Sequence, residues 1–81
     1  MSDEDVQGRI KGLIEQEHRL RQQRADGAIT SEAEHTDLAR IEVELDQCWD
    51  LLRQRRARRE FGQDPEDAIV RDAGTVENYR G

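Results

Sequence analysis

Apolar residues recur at helical spacing along two stretches of the chain. In the second stretch Leu38, Ile41, Leu45, Cys48 and Leu52 follow one another at intervals of three and four residues, the period of one α-helical face. No Pro or Gly interrupts the run from Ser31 until Gly62, which predicts one long helix over residues 31–61. In the first stretch Val6, Ile10, Leu13 and Leu20 form a similar stripe with Ile14 beside it, predicting a helix over residues 3–25. In heptad terms this stripe occupies d, a, d and d, with Ile14 at e, and the skipped a position holds Glu17.

Local signals set the ends. Ser2 or Asp3 can cap the first helix, and Asp3, Glu4 and Asp5 suit the positive end of its dipole. Gly8 and Gly12 weaken it by about 1 kcal/mol each relative to Ala, and would allow another helix to approach closely. Asp26-Gly27 ends it, Gly27 suiting a left-handed cap. The second helix opens at Thr30 or Ser31. Ser31 with Glu34 fits a capping box, whereas Thr30 would put Ile29 in the staple position. Beyond Gly62, Asp64-Pro65-Glu66-Asp67 reads as a cap with Pro at the first position of a short helical turn, carrying Ala68-Ile69-Val70 as an apolar patch. Ala73-Gly74 breaks the chain again, and residues 75–79 are expected to form a final turn.

The short connection favours antiparallel neighbours. In such a hairpin facing residues share one index sum. Leu20 with Leu38, Glu17 with Ile41, Leu13 with Leu45, Ile10 with Cys48 and Val6 with Leu52 all do. Charge agrees: Arg19, Arg21 and Arg24 come beside Glu32, Glu34 and Asp37, and Asp3, Glu4 and Asp5 beside Arg53, Arg55 and Arg56. The expected fold is therefore all-α, an antiparallel, coiled-coil-like two-helix hairpin over residues 1–61 with a short, partly helical tail over residues 62–81.

Composition adds a partner to this picture. Of 81 residues, 33% are hydrophobic and 40% charged, so little can be buried in a chain this small. Trp49 at e, Leu51 at g and Ile14 flank the seam, and a lone hairpin does not cover them. A second copy would, which predicts a homodimer forming a four-helix bundle. The competing cover is the tail, through Ile69, Val70, Val76 and Tyr79.

Charge and candidate chemistry narrow the function. The net charge of −6 argues against a dedicated nucleic-acid binder. The exception is the run Arg53, Arg55, Arg56, Arg58 and Arg59, which could grip phosphates. Phe61 is the only aromatic interleaved there, and the same arginines suit a helix C-terminus and the acidic N-terminus. Two Glu-x-x-His pairs, Glu15 with His18 and Glu32 with His35, have the spacing of carboxylate-bridged di-metal sites. Their heptad positions face solvent and lie at different levels, so no metal is expected. Glu17 is a carboxylate in an apolar seam, expected to meet Arg21, Arg40 or an Arg of a partner. Cys48 is expected to behave as a small hydrophobe facing Ile10. The sequence has no zinc-spaced Cys pair, no phosphate-cradling Gly loop and no nucleophilic triad spacing, so neither a cofactor nor catalysis is expected. A single cysteine suits a reducing cytosol. The acidic N-terminus is no signal peptide, and no apolar run reaches membrane-spanning length. The expectation is a cytoplasmic protein that does not enter the membrane.

The segments Glu17-His18-Arg19-Leu20-Arg21 and Ile41-Glu-Val-Glu-Leu-Asp-Gln-Cys-Trp-Asp-Leu-Leu-Arg-Gln-Arg-Arg-Ala-Arg-Arg-Glu60 resemble a family of short actinobacterial proteins known as domain of unknown function 2630. The resemblance spans nearly the whole chain and is most specific over residues 46–59. It implies a small cytoplasmic helical protein and supplies no activity, ligand or catalytic residue. It also makes the arginine run part of a family pattern. The expected function is a non-catalytic protein–protein interaction module, an adaptor or regulator for an unidentified protein partner. Its surface would comprise Ile14, Trp49, Leu51, Arg53, Arg55, Arg56, Arg58 and Arg59, with Glu17 as a buried polar residue in the seam. The rival readings are nucleic-acid or ribonucleoprotein binding through the arginines, and a metal or small-molecule site in a dimeric bundle.

Overall fold

The structure is a computed structural model and describes residues 2–72 and 74. Two helices carry it: α1, Asp3–Ala25, and α2, Ser31–Glu60, followed by a 3-10 turn at Pro65–Asp67. The predicted final turn over residues 75–79 lies outside the described residues.

Each helix begins and ends as its local chemistry dictates. Ser2 caps α1: its Oγ accepts from the Asp5 amide at 3.1 Å and the Asp5 carboxylate accepts from the Ser2 amide at 2.9 Å, a reciprocal capping box. With Ser2 in that role, the Asp3 carboxylate is left available for the other helix. Thr30, not Ser31, caps α2, its Oγ1 accepting from the Ala33 amide at 3.1 Å. Both helices end in the same way. Gly27 and Gly62 take φ of +73° and +71°, and the following residues, Ala28 and Gln63, donate back to the carbonyls of Gln23 and Arg58, the Schellman arrangement that glycine permits.

The helices pack side by side. Val6, Ile10 and Leu13 of α1 and Ile41 and Leu51 of α2 are buried, and Leu45, Cys48 and Leu52 pack half-buried against them. Asp3 of α1 pairs with Arg55 of α2, one further layer in the register that sets Val6 against Leu52. The molecule measures 51 × 26 × 15 Å, and its thin dimension is that of a single layer of helices. A single layer has an apolar seam and two open broad sides, so anything that widens the seam needs cover from elsewhere.

The tail supplies that cover on one side. Gly62 turns the chain, Asp64 caps the 3-10 turn by accepting from the Glu66 amide at 2.9 Å, and Pro65 occupies its first position. The turn stops at Asp67, and residues 68–72 run back along α2 without helical structure. Ala68 packs on the cluster of Val6, Ile10 and Leu51.

Candidate functional site

Two flanks of α2 hold the residues that the sequence marks as a surface, and the structure treats them differently. Leu51, expected to face a partner, is only 5% exposed and belongs to the core. The returning tail lies over it, which the spacing within α2 does not reveal. Ile69 and Val70, the expected covering residues, remain 68% and 56% exposed; the smaller Ala68 takes the position against the cluster. Val76 and Tyr79 lie outside the described residues.

Docking of the tail rests on polar groups of α2. Asp50 is 1% exposed. Arg71 reaches it with two guanidinium nitrogens, Nε to Oδ2 at 2.8 Å and Nη2 to Oδ1, and Gln54 donates to Oδ2 at 2.9 Å. This bidentate pair holds the Asp50 carboxyl below the usual carboxylate range, with Gln54 adding to the effect and burial opposing it. Gln54 also donates to the Ile69 carbonyl at 2.7 Å, and Gln47 to the Arg71 carbonyl at 3.3 Å. A tail with no ladder of its own thus has its backbone acceptors met by glutamines spaced along one side of a helix.

A second clamp lies one turn further on. Arg55, expected on the partner surface, is buried instead. Its Nε donates to Asp3 at 2.5 Å, Nη1 to the Pro65 carbonyl at 3.2 Å and Nη2 to Glu66 at 3.2 Å. Arg59 pairs with Asp3 at 2.9 Å. The two arginines, Arg59 foremost, lower the Asp3 pKa by hydrogen bonding. Arg55 therefore joins the start of α1, the end of α2 and the 3-10 turn. Arg56 was the expected companion of Arg55 against the acidic N-terminus; Arg59 takes that place, one helical turn beyond Arg55 on the same side.

Glu17 is half-buried and pairs with Arg21 on its own helix at 3.0 Å. Arg40 turns instead to Glu44, at 3.4 Å. Cys48 is half-buried. It lines a small pocket with Val6, Leu51 and Val70, rimmed by Arg9, Glu44 and Gln47. Burial pushes its thiol pKa up, so it stays protonated and poorly nucleophilic. Glu15, His18, Glu32 and His35 are all exposed. Among the described residues no group of three or more His, Cys, Asp and Glu is placed to hold a metal ion, and no helix is long and apolar enough to cross a membrane.

On the opposite flank no part of the tail docks among the described residues. Trp49 is 46% and Ile14 39% exposed. With Gln7, Ile10, Lys11 and Glu15 they line an open apolar hollow between the helices. Arg53 and Arg56 are exposed beside Trp49, and Arg58 is half-buried.

Of the residues singled out in the sequence, Trp49, Ile14, Arg53 and Arg56 thus come together on one open flank. Leu51, Arg55 and Arg59 serve the fold. Asp50, Gln47, Gln54 and Arg71 were missed. One signal was present: Asp50 is a carboxylate within the apolar segment Cys48-Trp49-Asp50-Leu51-Leu52, the same kind of anomaly that marks Glu17.

The fold is that of a small all-α hairpin strapped by its own tail. The sequence matches the family described as "Protein of unknown function (DUF2630)" over residues 2–81, and the chain belongs to that family. Among relatives, the uncharacterized protein Rv0898c of Mycobacterium tuberculosis (strain H37Rv) is 50% identical over 80 residues, covering 99% of this chain and 92% of its own length. The uncharacterized protein Mb0922c of Mycobacterium bovis is similar to the same extent. No solved structure matches the chain.

Proposed function

We propose that the protein is a non-catalytic protein–protein interaction module, an adaptor or regulator, and that the Trp49 flank of α2 is the surface that meets its partner. The observation that carries this reading is the exposure of Trp49 and Ile14 although the described part of the tail, through Arg71, is engaged on the other side. Leaving apolar side chains of this size in water forfeits about 1.5–3 kcal/mol each when they are fully exposed, and Trp is the residue most enriched where binding energy concentrates. The absence of catalysis is supported by the use of the buried charges. Asp50 and Arg55 are both engaged in pairs that hold the chain together, and the thiol of Cys48 is kept neutral. A cytoplasmic location belongs to the same reading, since one unpaired cysteine suits a reducing compartment.

Arg53 and Arg56 keep the nucleic-acid reading in view, because among the described residues neither makes an ion pair. Glu42 and Asp46 on the same side of the helix and the net charge of −6 weigh against it. The test is chemical cross-linking in native cells of the tagged wild type and of Trp49→Glu, read by mass spectrometry. Adducts of the wild type are expected to disappear in Trp49→Glu while its helical content is kept. Adducts indifferent to Trp49→Glu, or RNA retention abolished by Arg53→Gln with Arg56→Gln, would overturn the proposal.

A further inference from the structure

The open flank of α2 carries an ordered series: Glu42, Asp46, Trp49, Arg53, Arg56 and Glu60, at intervals of four, three, four, three and four residues. This is a second heptad stripe on the helix, displaced from the one that faces α1. All six residues are exposed. Among the described residues Glu42, Asp46, Arg53 and Arg56 take part in no ion pair or side-chain hydrogen bond.

The charges are sorted about Trp49, with acids before it and bases after it. Glu42 lies seven residues before Trp49 and Arg56 seven after; Asp46 lies three before and Arg53 four after. The stripe is therefore complementary to its own reverse. A parallel copy would set Glu42 on Glu42 and Arg53 on Arg53, which like-charge repulsion excludes. Within one chain the sorting is unfavourable, because Glu42 with Asp46 and Arg53 with Arg56 are like-charged neighbours one turn apart. An opposite pair laid against each turns this repulsion into attraction. Glu60, last on the stripe, falls opposite Leu38 and Ala39 and meets no like charge.

Resting on the reading of this flank as an interaction surface, we infer that its occupant is a second copy of the chain. The two α2 helices run antiparallel across a two-fold axis at Trp49, with Glu42 against Arg56 and Asp46 against Arg53 of the partner subunit. The two Trp49 rings meet at the axis, where an aromatic pair adds to burial. The hollows lined by Ile10, Ile14 and Trp49 lie alongside, so one self-complementary contact closes both. Arg53 and Arg56 then have ionic partners and no need of phosphate.

The test is sedimentation of the full chain at high micromolar concentration. The wild type is expected at twice the 9.4 kDa chain mass. Glu42→Arg and Arg56→Glu each place like charges together twice per dimer and weaken association by about tenfold or more. Mixing the two variants restores a dimer, because the heterodimer has one native and one exchanged pair. Both sites are exposed and unpaired, so the variants fold. A monomeric wild type would overturn the pairing alone, leaving the cross-linking result to judge the interaction surface. A dimer that Trp49→Glu dissolves but that neither single variant weakens would overturn the antiparallel register.

Discussion

The two flanks of α2 are built from similar materials and meet opposite fates. One carries Gln47, Asp50, Leu51 and Gln54, the other Glu42, Asp46, Trp49, Arg53 and Arg56. On the first a carboxylate is buried to 1% exposure; on the second a tryptophan stays 46% exposed. Side-chain polarity predicts the reverse in both cases. The difference lies in what arrives. After Gly62 and Pro65 the tail turns to the Asp50 side and brings a guanidinium and two backbone carbonyls, which meet Asp50, Gln47 and Gln54. A buried carboxylate is tolerable only on those terms. Among the described residues nothing of the chain reaches the Trp49 side.

The largest expected effect separates the flanks by packing. Leu51→Ala should destabilise the fold by about 2–5 kcal/mol in urea titrations. Trp49→Ala should change it by no more than about 0.5 kcal/mol at a dilution where the chain is monomeric, as substitutions at open surface do. Equal effects would erase the distinction.

An intermediate effect concerns the clamp. Asp50→Asn keeps the shape but loses the ionic pair with Arg71, and should cost about 1–3 kcal/mol, with faster amide exchange in residues 68–71. Acid should do the same to the wild type. The Asp50 carboxyl, held down by Arg71, and the Asp3 carboxyl, held down by Arg59 and Arg55, have folded-state pKa values below their unfolded ones. Their stabilisation is complete above the unfolded value, about pH 4, and is lost as pH falls through the folded values. Melting temperature should drop below about pH 4 and drop less steeply in Asp50→Asn. Identical acid limbs in the two proteins would remove Asp50 from the account.

The smallest effects sharpen the contrast between adjacent arginines. Arg55→Gln should lower the melting temperature, since Asp3, Glu66 and the Pro65 carbonyl lose their shared donor. Arg56→Gln, one residue on and pointing to the open flank, should shift monomer stability by no more than about 0.5 kcal/mol. Matching losses would mean that the run acts as a unit.

How far the sequence could be read follows from the range of each interaction. Helix ends depend on groups three or four residues apart, so Gly27, Gly62 and the Asp64-Pro65 cap were legible. The choice between Thr30 and Ser31 was not, because both offer a hydroxyl at a plausible position and only the backbone entering the helix separates them. The antiparallel register was legible because one constant index sum aligned five layers at once, and Asp3 with Arg55 extends it. For Glu17 the sequence offered Arg21, Arg40 or an Arg of a partner, and the structure takes the nearest, Arg21 one turn away. Leu51 and Arg55 were read as surface because within α2 they stand off the main stripe or in a basic run. Both are buried by segments distant in sequence.

By itself the sequence determined two helices, the glycines that end them, their antiparallel seam and the charge sorting along α2, because each follows from period and from neighbours a turn apart. Only the tertiary structure decided which flank the tail would take. Polar segments without periodicity have no preferred side of their own. The tail's place depends on Arg71 reaching Asp50, on Gln47 and Gln54 meeting its carbonyls, and on Arg55 holding the turn where it begins, interactions that exist only once the tail has folded back along α2.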